Sequence, residues 1–247
     1  MNLKGVVLAG GLGTRLNPLT KITNKHLLPI YNKPMIYYPI QTLVDAGIKD
    51  ILIVTGGHHA GEFLRLLGNG HQFGLKHLNY TYQEGEGGIA EALGLTEHFV
   101  DKDRVVVVLG DNILEKGIGY AVKEFKRQAR GARIMVKKVP DPERFGVVEF
   151  KKDKIAGIAE KPSKPKSDFV VTGIYMYDHT VFEIIKTLKP SDRGEMEITD
   201  VNNEYIRRGE LSYSILKGWW TDSGTFDSLL RANELAVKKH RKGISSK

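Results

Sequence analysis

The 247 residues, 41% of them hydrophobic, are enough to bury a sizeable core as one large domain, and the absence of cysteine excludes disulfides and thiolate metal sites. The net charge of +8 comes from 37 basic and 29 acidic residues scattered among one another, which implies no nucleic-acid surface and suits anionic small molecules. The densest run, Lys238 to Lys242, reads as a solvated helix end; with no apolar leader and no run long enough to span a bilayer, a soluble, cytoplasmic chain without membrane contact is expected.

In chain order, Val6 to Ala9 is an apolar strand that breaks into Gly10, Gly11 and Gly13, then Thr14 and Arg15. Glycines let backbone N–H groups converge on an anion at a strand-to-helix junction, and Arg15 adds a planar cationic fork. A loop that merely turns is the alternative. Lys25 follows with a second cation. No Gly-Lys-Ser/Thr completes a Walker loop, and the third glycine of a Rossmann fingerprint would fall at Leu16. Pro34 to Ala46 predicts a helix stopped at Gly47, with Pro39 an awkward interior residue. Ile51 to Thr55 is a buried strand, His59 to Leu67 a helix, Leu78 to Gln83 a strand and Ile89 to His98 a helix.

Val105 to Leu109 is the most strongly β-biased run and is expected at the sheet centre, ending in Gly110, Asp111 and Asn112. Ligands bind outside the carboxyl ends of such strands, so the loop after Ala9, Gln83 and Asp111 should converge on one crevice. Tyr120 to Arg130 is a helix. Strands follow at Arg133 to Val139, Gly146 to Phe150, Ile155 to Ala159 and Val170 to Tyr177, which reads as a mixed-sheet substrate lobe. Helices over Thr180 to Leu188 and Ile198 to Arg208, a strand near Tyr213 to Leu216 and a helix over Thr225 to Lys239 complete the chain. The alternation predicts an α/β fold: a Rossmann-like mixed, mainly parallel sheet flanked by helices.

Among single positions, Asp111 follows a buried strand, where a carboxylate is costly unless it is paired or holds a cation; a cap or turn role is the alternative. Asp222 stands at a turn before the last helix, where an N-cap would also serve. Two carboxylates without a His or Cys cluster suit Mg²⁺, completed by substrate phosphates and water. Glu160 and Lys161 close a strand before Pro162, as a site pair or a solvated one. Gln83 offers a donor and an acceptor in one plane, as a pyrimidine imide edge requires, unless it merely caps or fills the core. His58 and His59 are read as structural.

The segments GGLGTRLNPLT, NKHLLPIYNKPMIYYP, LGDN, ERFGVVE, EKP, VTGIY, RGEMEITDVN and WTDSGT, in this order over nearly the whole chain, resemble the sugar nucleotidyltransferases. They are most similar to members that act on thymidine nucleotides. The resemblance implies that glucose 1-phosphate attacks the α-phosphorus of dTTP, with UTP as an alternative substrate, releasing pyrophosphate. Mg²⁺ would be held by Asp111 and Asp222. Leu8, Gly10, Gly11, Gly13, Thr14, Arg15 and Lys25 would line the nucleotide, with Gln83 and Gly88 at the base. Gly146, Glu160 and Val171 would contact the sugar, and Lys161 and Arg193 would hold its phosphate. A single domain over 1–247 is implied, with a nucleotide-binding half (1–130), a sugar-phosphate-binding half (131–225) and a C-terminal helix and tail (226–247).

Two departures bear on this. His26 replaces the glutamine found in better-known members after the lysine, which bears on the nucleotide contact and the deoxyribose preference. Long members continue well beyond the position of Asp222 with helices that help form a feedback site, so such regulation is not expected here. A homo-oligomer, dimer or tetramer, is usual in the family. A different uridylyl or cytidylyl enzyme and a silent nucleotide-sugar sensor stand as alternatives.

Overall fold

Uninterrupted runs of Val, Ile and Leu become strands buried on both faces, as a sheet covered by helices on each side demands. The computed structural model describes residues 2–245, with side chains to Arg241; Met1 and the side chain of Lys242 lie outside the described residues. The strands are β1 (Leu3–Ala9), β2 (Pro29–Ile30), β3 (Lys33–Pro34), β4 (Ile51–Gly56), β5 (Leu78–Gln83), β6 (Arg104–Leu109), β7 (Ile113–Leu114), β8 (Ala132–Lys138), β9 (Gly146–Lys151), β10 (Lys154–Glu160), β11 (Phe169–Tyr177), β12 (Leu211–Ile215) and β13 (Trp220–Thr221). The helices are α1 (Tyr37–Asp45), α2 (Ala60–Leu67), α3 (Ile89–Gly94), α4 (Glu97–Val100), α5 (Gly119–Arg127), α6 (Val181–Thr187), α7 (Ile198–Arg207) and α8 (Phe226–Ser245).

β1 pairs in parallel with β4 and β6, and β4 with β5, so four strands point their carboxyl ends the same way. β11 then runs antiparallel to β6, β8 antiparallel to β11, and β12 parallel to β8. β11 is long enough to serve two neighbours on one side: Ile174 to Tyr177 lie along β6, while Val170 meets Val147 of the β9–β10 hairpin. The strands expected of a substrate lobe therefore extend the same nine-stranded sheet, and β6 is central as its sequence predicts.

Alternation along the strands divides the core. Val7, Ile53, Val106 and Val108 pack on one face with Phe63 and Phe125; Val6, Leu52, Val105 and Val107 pack on the other with Tyr177 and Tyr205. Each fully buried aliphatic side chain contributes roughly 1.5–3 kcal/mol before entropy. A third cluster, including Leu16, Ile30, Met35 and Ala232, binds α8 to the segment after the glycine loop.

Several element ends differ from expectation. Pro34 pairs with Pro29 in the β2–β3 hairpin, so α1 begins at Tyr37. Pro39 then falls in the first turn, where its missing N–H removes no helical bond. The helix expected over Ile89 to His98 is two pieces, because the buried Thr96 hydroxyl donates to Leu93 O at 2.7 Å and turns the chain between them. The strand expected near Tyr213 to Leu216 is β12, which begins earlier, at Leu211, and ends at Ile215, and the last helix continues to Ser245. The β7–β13 ladder, Trp220 opposite Leu114 and Thr221 opposite Ile113, is absent from the sequence reading because two residues carry no periodicity.

Candidate active site

β1 ends at Ala9, and the chain turns away through Gly10 and Gly11 into the short turn Thr14–Leu16. Gly10 is bare where it meets Gln83 at the end of β5: a Cβ there would collide with Gln83 Oε1. Leu8 keeps its carbonyl engaged by Gly110 N–H at 2.8 Å, which draws the ends of β1 and β6 together. Gly13 lies against the Lys25 side chain, whose Nζ reaches Asp111 Oδ2 at 2.7 Å. The glycine loop, Gln83 and Asp111 thus meet along one crevice at the carboxyl ends of the parallel strands.

Asp111 is fixed from its other side by Asn112. The buried Asn112 amide donates to Asp111 Oδ1 at 3.1 Å, and its oxygen accepts from Gly173 N (3.2 Å) and Trp220 Nε1 (2.7 Å). One side chain therefore joins the end of β6 to the middle of β11 and to β13, and β13 delivers Asp222 directly after Thr221. Burial opposes ionisation of Asp111, yet the Lys25 ammonium, helped by His26 and the Asn112 amide, holds its carboxyl well below the usual range. Asp222 is pushed up, by burial and by the charge of Asp111, against the pull of Arg144 and Arg15. Two carboxylates that repel one another across a small space suit a shared hard cation, which substrate phosphates and water would complete. Among the described residues no group of three or more His, Cys, Asp or Glu is placed to hold a metal, so Asp111 and Asp222 would be the only protein ligands of such a cation there.

A cavity of about 190 Å³ brings Arg15, Asp111 and Asp222 together with Glu160, Lys161, Val171 and Arg193. Glu160 Oε2 accepts from Thr199 Oγ1 at 2.6 Å, and Gly146, its neighbour across the β9–β10 ladder, lies beside that carboxylate but does not line the cavity. Lys161 adopts φ +42°, an uncommon backbone for an L residue and one found preferentially at functional sites, with its N–H on Phe145 O at 3.0 Å. Arg193 is held by Glu197 through both carboxylate oxygens at 2.8 Å, with Glu160 and Glu195 at 3.6 Å. Arg15, by contrast, is exposed and makes no ion pair among the described residues.

The backbone behind Gln83 closes the crevice. Met196 N donates to Gly87 O at 2.8 Å and Ala90 N to Met196 O at 3.1 Å, clasping the loop after β5 to the segment carrying Arg193. Gly88, at φ +96°, is needed there: a Cβ would stand 2.6 Å from Met196 O.

Some sequence expectations change. Gln83 does not present both a donor and an acceptor, because its Nε2 is spent on Gly88 O (3.3 Å) and Glu91 Oε2 (2.6 Å). His26 lies beneath the site at 2% exposure, its Nδ1 2.8 Å from Asn24 Oδ1, and does not face the crevice. His59 meets Glu62 at 3.2 Å, a local contact in keeping with its structural reading. Sequence reasoning gave no role to Asn112, Glu197 or Arg144, whose guanidinium lies 2.7 Å from Asp141 and 3.5 Å from Asp222. Asn112 and Arg144 sit inside the LGDN and ERFG segments, the one signal that could have marked them. A larger cavity, about 580 Å³ and lined by Tyr31, Tyr38, Phe73, Trp219 and Lys239, contains none of these charged groups.

Comparison with known proteins shows the family. Residues 4–239 match the family model described as nucleotidyl transferase. A glucose-1-phosphate thymidylyltransferase of Neisseria meningitidis is 47% identical over 234 residues, spanning 93% of this chain and 81% of that protein. A crystal structure of a Bacillus anthracis protein described as a glucose-1-phosphate thymidylyltransferase, in complex with sucrose, superposes with a TM-score of 0.91 at 54% identity over 95% of each chain. A UDP-glucose pyrophosphorylase complexed with UDP-glucose shares the fold, with a TM-score of 0.82 at 23% identity, covering 97% of this chain and all of that one. A glycine loop and paired carboxylates at the reversal of a mixed sheet, with a family match running through both, mean that this chain is a member of the nucleotidyl transferase family.

Proposed function

We propose that this enzyme joins dTTP and glucose 1-phosphate to give dTDP-glucose and pyrophosphate, with Mg²⁺ held by Asp111 and Asp222. The observation that carries the reading is the meeting of both carboxylates with Arg15, Lys161 and Arg193 in one cavity beside the glycine loop. The first 130 residues would handle the nucleotide and residues 131–225 the sugar phosphate. The absence of cysteine fits action in a reducing cytoplasm.

A sugar phosphate is largely dianionic near neutrality, its second pKa being about 6, so its attack needs no protein base. It needs placement against a second anion. Arg15, which has no ion-pair partner among the described residues, is available to take a nucleotide phosphate. Lys25 leaves Asp111 for the phosphates only when another cation replaces it. Lys161 and Arg193 hold the sugar phosphate, Glu160 and Gly146 contact the sugar hydroxyls, and Val171 packs beside it. When bound, Mg²⁺ would neutralise phosphate charge that develops as pyrophosphate leaves.

The test is pyrophosphate release with glucose 1-phosphate and each of dTTP, UTP, CTP, ATP and GTP, with and without Mg²⁺. Turnover highest with dTTP and lost without metal is expected, and Asp111→Asn or Asp222→Asn should lower kcat by orders of magnitude in a folded protein. UTP in the lead would make this a uridylyltransferase on the same scaffold. Near-normal turnover in both variants would refute the metal assignment.

A further inference from the structure

Gln83 closes β5 at 4% exposure, against the loop that follows β1. Its Nε2 donates to Glu91 Oε2 at 2.6 Å and to Gly88 O at 3.3 Å. A carboxylate only accepts, so the end of the amide facing Glu91 must be the NH₂ end. Turning the amide over would set its oxygen against a carboxylate oxygen and leave a buried acceptor unsatisfied. Oε1 is therefore committed to the side of Gly10, where the crevice opens. Two bare glycines seat the pair: a Cβ on Gly10 would collide with Gln83 Oε1, and a Cβ on Gly87 with the Glu91 carboxylate.

We propose that Glu91 is a positioning residue that fixes which end of the Gln83 amide the base meets, and so restricts the site to a pyrimidine carrying N3–H. The proposal rests on the nucleotidyl-transfer reading and deepens it. Thymine and uracil offer an N3–H to the committed oxygen. Cytosine offers a lone pair at N3, which faces the same oxygen with repulsion. Glu91 itself touches neither base nor phosphate; it acts through Gln83.

The test is Glu91→Gln, whose amide can donate or accept, which leaves only the longer 3.3 Å bond to Gly88 O to oppose turning the Gln83 amide over. Selectivity for dTTP over CTP is read twice: as kcat/KM at saturating glucose 1-phosphate, and as Kd for each nucleotide alone by calorimetry. The second reading survives even in a chain that binds without turnover, an outcome that would sink the transfer reading and leave the selectivity ratio measurable. The ratio should fall about 10- to 100-fold, the range expected for one misdirected base contact, with KM for the sugar phosphate unchanged. Gly87→Ala, which pushes the carboxylate away from Gln83, should shift the ratio in the same direction and serves if Glu91→Gln does not fold. An unchanged ratio in a folded variant, or equal weakening of dTTP, UTP and CTP, would overturn the proposal.

Discussion

His26 is a buried ring wedged behind two charges that the site needs. Burial first, and then the Lys25 ammonium, push its pKa from 6.5 down to about 3, against the opposing pull of Asp111 and the Ala9 carbonyl. The unfolded chain takes up a proton near pH 6.5 that the native ring refuses until about pH 3. Stability from His26 is therefore whole above pH 6.5, falls as pH drops through that window and levels off below it. Asp222, with a raised pKa, contributes in the opposite sense, so the variant must be compared with the parent at each pH. Urea denaturation between pH 7 and 4 should show the parent losing stability faster than His26→Gln, by up to about 1.4 kcal/mol per pH unit, the limit for one proton. Equal slopes would mean the ring titrates normally in the folded chain.

At the scale of elements, Asn112 ties the end of β6 to the middle of β11 and to β13, which no ladder joins to the main sheet. Asn112→Ala leaves Gly173 N–H and Trp220 Nε1–H buried without an acceptor, at about 1–3 kcal/mol for each unsatisfied donor. A drop in melting temperature is expected together with a lower kcat, since Asp111 and the strand before Asp222 lose their common support. Loss of stability with unchanged kcat would confine Asn112 to the core. The long strands were legible because runs of β-branched or aromatic residues bounded by turn residues favour a strand, as Leu78 to Gln83, with Tyr80, Thr81 and Tyr82, shows residue for residue. The paired carboxylates were legible through their strand-end and turn positions. The partners of Asn112 were not, because Gly173 and Trp220 lie 61 and 108 positions away, and no local pattern encodes a contact at that separation. Glu91 escaped for a similar reason: in the sequence it is an ordinary acidic residue in the first turn of a helix, and only the fold sets it against Gln83.

Across the whole molecule, a parallel half that ends at β6 meets an antiparallel half that begins at β11, and the crevice lies where the direction reverses. The clasp between Gly87, Ala90 and Met196 crosses that divide. Gly88→Ala, strained at φ +96° and crowded by Met196 O, should raise KM for nucleotide and sugar phosphate together, because one backbone segment supports both. Steady-state kinetics with each substrate varied in turn would detect this; a change in one KM alone would separate the two halves. With the clasp closed in the backbone, the interval from Gln83 to Arg193 is set before any ligand arrives. On the proposed function, the protein would therefore act as a calliper on its own product, with the base at the Gln83 jaw and the phosphate next to the sugar at the Arg193 jaw.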